Sequence, residues 1–160
     1  MGERFAITSN GDVSVELSDR YRSFEETFEA NLRLLDGSEL FSYSLWAMPE
    51  DAETITDVDL RFYPDAFLQC AGTASRMTVE VRVKYDDGLG RLFTVGRSVR
   101  GERKPLPSED VHWSSHVVRV YPNEVFGYKE TSRIFLAYLE TGKVPTGYSL
   151  RGTVFSGGQA

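Results

Sequence analysis

The sequence is poor in the residues that most often carry covalent staples or chemistry. It has one cysteine, Cys70, and two histidines, His112 and His116. A single thiol excludes an internal disulfide framework and a cysteine-rich zinc site, so neither metal nor cofactor is expected. Basic residues are in deficit, 18 Lys and Arg against 24 Asp and Glu, and the net charge of −6 argues against a nucleic-acid partner, which calls for clustered cations. No apolar run approaches the ~20 residues of a membrane span, and the stretch Met1 to Arg4 lacks the apolar core of a secretory signal. A cytoplasmic protein without a membrane partner is therefore expected. Repeats and dividing linkers are absent too, and 160 residues suffice for one hydrophobic core, so residues 1–155 read as one domain and 156–160 as a frayed tail.

What is present is an uneven charge distribution. Residues 1–67 carry 15 acids against 5 arginines, while residues 68–160 carry 9 acids against 13 bases. Glu50, Asp51, Glu53, Asp57 and Asp59 follow one another with no basic residue between them. Arg91, Arg97, Arg100, Arg103 and Lys104 are opposed only by Glu102. Either run can be a solvated face; the acidic one is also suited to docking a basic partner, where complementary potential speeds encounter.

Periodicity supplies the elements. Arg4–Thr8 and Val13–Leu17 flank Asn10-Gly11 and predict a hairpin. Ser23 and Glu26 have capping-box spacing before Phe24, Phe28, Leu32 and Leu35, which predict a helix ending at Asp36-Gly37. Leu40–Met48 and Val58–Tyr63 read as strands, and Phe67–Ala71 as a short strand or an irregular connection. Met77 to Tyr85 alternates strictly, one face wet and one buried, and returns through Asp86-Asp87-Gly88-Leu89-Gly90 to Arg91–Arg97. Residues 98–110 read as a surface loop, Val111–Tyr121 as one long strand, and Asn123 as the cap of a second helix that Gly142 stops. Gly147–Phe155 closes the chain as a strand. The expected architecture is α+β, a single domain with an antiparallel sheet of about six or seven strands and two helices.

The search for catalytic groups finds none that is convincing. In one strand, His112 and His116 would stand about 13 Å apart, too far to share a metal. Ser114 and Ser115 lack the sharp strand-to-helix turn that presents a hydrolase serine. Leu68-Gln69-Cys70-Ala71 is an apolar setting for an inert thiol. Gly88-Leu89-Gly90 has no third glycine, no Gly-Lys-Ser or Gly-Lys-Thr, and leads into a strand, so it reads as a turn and not as a phosphate loop. Trp46 and Trp113 are expected in the core.

Toward the C-terminus, Pro122-Asn123-Glu124, the helix Ile134-Phe135-Leu136-Ala137-Tyr138-Leu139, Thr141-Gly142-Lys143-Val144-Pro145 and Gly147-Tyr148-Ser149-Leu150-Arg151 resemble the immunity proteins of bacterial polymorphic toxin systems. The group in question is the one associated with deaminase and nuclease toxins. Thr78–Val83, the Asp86–Gly90 turn and Leu92–Gly96 are similar to its central hairpin, and the actinobacterial immunity factor against an NAD-glycohydrolase toxin is a related likeness. The resemblance implies a cytosolic, non-catalytic inhibitor that binds a cognate toxin domain as a heterodimer and blocks its active site.

The expected partner-binding residues are Glu50, Asp51, Glu53, Asp57 and Asp59 of the acidic run and Asp86, Asp87, Gly88, Leu89, Gly90 and Arg91 of the hairpin tip. Two other classes fit the same composition. One is a secretion chaperone that binds an effector segment. The other is a small-ligand-binding protein or enzyme with Trp46, Trp113 and His116 in a sheet pocket.

Overall fold

Residues 3–99, 101 and 105–152 are described by the computed structural model of the chain. Asn10 and Gly11 both take left-handed φ and turn β1 (Phe5–Ser9) into β2 (Val13–Glu16). The Ser23 hydroxyl accepts the Glu26 N–H and donates to the Glu26 carboxylate, both at 3.1 Å, which starts α1 (Phe24–Arg33). There follow β3 (Ser42–Ala47), β4 (Phe67–Thr73), β5 (Arg76–Lys84), β6 (Gly90–Arg97), β7 (Glu109–Trp113), β8 (His116–Val120), α2 (Tyr128–Thr141) and β9 (Tyr148–Gly152). Seven strands form one antiparallel sheet in the order β2-β1-β3-β4-β5-β6-β9, and β7 with β8 makes a separate ribbon. The α+β reading of the sequence is the architecture found.

Both helices press on one face of the sheet. Phe28 and Leu32 of α1 and Ile134 and Phe135 of α2 meet Leu45, Leu68, Val79 and Val95 in a continuous core. Phe28 touches Phe135 edge-on at 5.7 Å and Tyr43 at 6.5 Å between ring centroids. Each of these fully buried side chains contributes roughly 2–3 kcal/mol through removal of apolar surface from water.

The opposite face carries a polar row, one residue from each strand in register: Ser14, Thr8, Ser44, Gln69, Glu80, Thr94 and Arg151. This face is less wet than the alternation of β5 predicts, since Thr78 and Thr94 are buried. At one end Trp46 is covered by Met48, Ala52 and Val58, and its indole N–H donates to the Thr8 hydroxyl at 2.9 Å. At the other, the ribbon lies across β4 and β5 and brings Val111 within reach of Gly72. Arg151 is held by a bidentate pair to Glu124, both contacts 2.8 Å, and the Glu124 side chain is fully buried.

Two sequence expectations are corrected here. Val111–Tyr121 is two strands, because Ser114, at φ 56°, reverses the chain and donates its N–H to the Gly37 carbonyl at 2.7 Å. Folding back lets Val111 and Val120 both be buried, which a straight strand on this face could not do. Asn123 does not cap α2: it lies in a 3-10 turn (Pro122–Glu124) and its amide donates to the Arg97 carbonyl at 2.7 Å, while Gly127 is the N-cap. The closing strand runs over Tyr148–Gly152; its expected continuation to Phe155 and the tail at 156–160 lie outside the described residues. Gly142 caps α2 in the left-handed conformation, φ 76°, as its position predicts. Among the described residues, no helix is long and apolar enough to cross a membrane.

Candidate functional site

The acidic run lies in the connection between β3 and β4, and its shape is set by its own side chains. Asp57 accepts the N–H groups of Glu53 and Thr54 at 3.0 and 2.9 Å, closing a 3-10 turn (Ile55–Asp57). Asp59 accepts the Arg61 N–H at 3.1 Å and the Arg61 guanidinium at 2.8 Å, and its carbonyl accepts from Phe62 and Tyr63. Val58–Tyr63 is therefore a turn and not the expected strand. The N–H groups of Val58, Arg61, Phe62 and Tyr63 bond to acceptors within the loop, which takes them out of any ladder. The bond from Arg61 holds the Asp59 carboxyl below the usual range. Beneath the loop, Ala52 and Val58 are buried against Trp46, and Arg4 ties it down through the carbonyls of Ala52 and Glu53.

The hairpin tip between β5 and β6 is a tight turn, as expected. The Gly88 N–H donates to the Tyr85 carbonyl at 2.9 Å, the Tyr85 N–H to the Leu89 carbonyl at 3.0 Å, and Gly88 is left-handed at φ 80°. Asp87 accepts the Leu89 N–H at 2.9 Å; that bond and the nearby Arg91 charge lower its carboxyl pKa. Arg91 lies 4.6 Å from the Tyr85 ring centroid and pairs with Asp87 at 3.4 Å, so the tip is braced. The Arg82 guanidinium occupies the space that a side chain at Gly90 would need.

Tertiary structure brings these two segments to the same end of the sheet. In the antiparallel order, the end of β3, the start of β4, the end of β5 and the start of β6 fall together. Lys84 joins them with an ion pair to Asp65 at 2.8 Å, and that bond raises the lysine pKa. The same end exposes Leu60 at 51%, Phe62 at 71%, Tyr85 at 41% and Leu89 at 60%. Four large apolar side chains are thus exposed at one end of the sheet, next to charged residues.

The acidic residues divide into two kinds. The carboxylates of Asp57, Asp59 and Asp87 are spent on loop shape, whereas those of Glu50, Asp51, Glu53 and Asp86 have no hydrogen bond or ion pair among the described residues. Leu60, Phe62 and Tyr85 were not marked by sequence reasoning. Leu60 and Phe62 satisfy a strand period, and only the Asp59-Leu60-Arg61 turn chemistry before Pro64 signals otherwise.

The remaining candidates lie elsewhere. Trp46 is fully buried in its own cluster, whereas Trp113 stacks between Phe41 at 5.9 Å and His116 at 4.4 Å on the ribbon, so no common pocket joins them. His112 pairs with Val117 and His116 with Trp113 across that ribbon, on opposite faces, a geometry different from the single strand expected. Cys70 is buried, and burial pushes its thiol pKa up. Among the described residues, no three His, Cys, Asp or Glu side chains are grouped to hold a metal ion. Of the basic stretch, Arg97 is committed to Glu130 at 2.7 Å, and Arg100, Arg103 and Lys104 lie outside the described residues. Comparison with known protein families, with curated proteins and with solved structures finds no match for this chain.

Proposed function

We propose that the chain is a non-catalytic inhibitor that docks a basic partner protein through the sheet end formed by the 48–66 loop and the 85–91 hairpin. The observation that carries this reading is the convergence of Leu60, Phe62, Tyr85 and Leu89 with the unpaired carboxylates of Glu50, Asp51, Glu53 and Asp86. The apolar side chains supply contact area that gains from leaving water, and the rim supplies steering toward a positively charged cleft. Clefts that act on nucleic acid or NAD are of that sign, since their substrates carry phosphates. In keeping with the resemblance to immunity proteins, the partner is a secreted toxin domain, nuclease, deaminase or NAD glycohydrolase, and the braced tip around Gly88 is slim enough to enter its active-site cleft.

The test is to mix the purified chain with purified toxin domains of these three classes, beginning with any encoded by a neighbouring gene. A one-to-one complex and loss of toxin activity are expected, with both abolished by Leu89→Asp together with Phe62→Asp. Full activity of every one of these domains in the presence of excess chain would overturn the reading. A homodimer that binds an extended effector segment and leaves activity intact would replace it with a chaperone.

A further inference from the structure

A groove of about 530 Å³ runs along the flank of the molecule, between the start of β1, the connection from β2 to α1 and the last turns of α2. Its floor is Phe5, Leu17, Phe24, Leu136 and Leu139, all only partly buried against the main core. Its rim is Glu3, Glu16, Asp19 and Glu140. We propose that this groove is a second docking site, and that it takes a basic amphipathic segment of another polypeptide: leucine-like side chains on the floor, Lys or Arg against the rim.

The charge pattern selects that occupant. Among the described residues, Arg4 is the only cation that lines the groove, and its guanidinium is already committed to Glu16 at 3.2 Å and to the carbonyls of Ala52 and Glu53. The groove also receives the C-terminal end of α2, where the last carbonyls carry partial negative charge. A helix end normally gains from Lys or Arg in its last turn; α2 has none there and places Glu140 in that position instead. Arg4 offsets Glu16 alone, and an incoming cation relieves the remaining charge of Glu3, Asp19 and Glu140. A second copy of the chain is a poor occupant because its own net charge is −6. The Glu3 and Arg4 side chains also line the hollow under Met48–Glu53, so the groove opens toward the acidic loop. The proposal does not depend on the inhibitor reading.

The probe is a short fluorescein-labelled peptide of leucine and lysine at helical spacing, with a leucine and glutamate peptide of the same pattern as control, followed by fluorescence anisotropy on the full chain. The lysine peptide is expected to bind and the glutamate peptide not. Asp19→Lys with Glu140→Lys, both exposed, is expected to weaken binding about tenfold. Leu139→Ser, checked for folding by circular dichroism, is expected to weaken it similarly, and Val117→Ser, exposed on the β7–β8 ribbon, to leave it unchanged. Equal binding of the two peptides, no binding of either, or an unchanged affinity in the charge-reversed variant would overturn the proposal. So would a concentration-dependent dimer, seen by sedimentation, that the charge reversal dissolves, since the groove would then hold a second copy.

Discussion

Lys84 Nζ lies 2.8 Å from Asp65 Oδ2, and this one exposed ion pair fastens the acidic loop to the glycine hairpin. The two segments are distant in sequence, yet they present a single surface because strand register puts both at one end of the sheet and Lys84 holds the loop to the hairpin base. Lys84→Ala should leave the melting temperature unchanged, since exposed pairs contribute little to global stability. It should instead speed amide exchange in residues 59–65. Unaltered exchange there would show that the loop is held by the Trp46 cluster alone.

Charge reversal separates the two kinds of acidic residue. Glu50→Lys with Asp51→Lys should slow association with a basic partner, and the difference should shrink as salt is raised. Asp57→Lys should also lower stability, because two loop N–H groups lose their acceptor. Stopped-flow association and thermal unfolding on the same variants distinguish these outcomes.

At the tip, Gly88→Ala should destabilise the fold by about 1 kcal/mol and speed dissociation from the partner, because an alanine at φ 80° is strained although the space around it is open. Gly90→Ala acts differently: its Cβ would meet the Arg82 guanidinium, which can swing aside. Denaturant unfolding should therefore rank Gly88→Ala as the costlier change.

Arg151→Met should cost about 3 kcal/mol in chemical denaturation. It leaves the Glu124 carboxylate fully buried with, among the described residues, only the Tyr121 N–H to accept from. A loss below about 1 kcal/mol would mean that the Glu124 carboxylate reaches water when its partner is removed.

Glu80 sets a pH dependence. Burial raises its carboxyl pKa above the ordinary 4.5, against the opposing hydrogen bond from Gln69 and the charge of Arg151. The folded state then binds more protons than the unfolded chain, so this residue's contribution is fully present below 4.5 and is lost as pH rises through the raised pKa. Glu80→Gln keeps an acceptor for Gln69 and should remove that loss. The variant should gain stability relative to the parent as pH increases from 4.5, as read from denaturation midpoints across pH. A constant difference across that range would exclude the effect.

The elements that were readable in advance are those whose signals are local. Asn10-Gly11, the Ser23 to Glu26 box, the alternation of Met77 to Val83 and the Gly142 stop each carry their physical cause within a few residues. Val58–Tyr63 was misread because an alternating pattern is equally met by a turn that exposes Leu60 and Phe62. Val111–Tyr121 was misread because the reversal at Ser114 depends on the Gly37 carbonyl, far away in the chain.

The amino-acid sequence by itself determined the α+β class, the identity of the acidic run and the glycine turn at 86–90, because composition, period and turn chemistry are short-range properties. Only the tertiary structure decided that the acidic run and the glycine turn share one end of the sheet, that Asp57 and Asp59 are occupied while Glu50, Asp51 and Glu53 are not, and that an acid-rimmed apolar groove lies beside α2. Those facts depend on strand order and on which side chains meet across it, and sequence periodicity does not encode either.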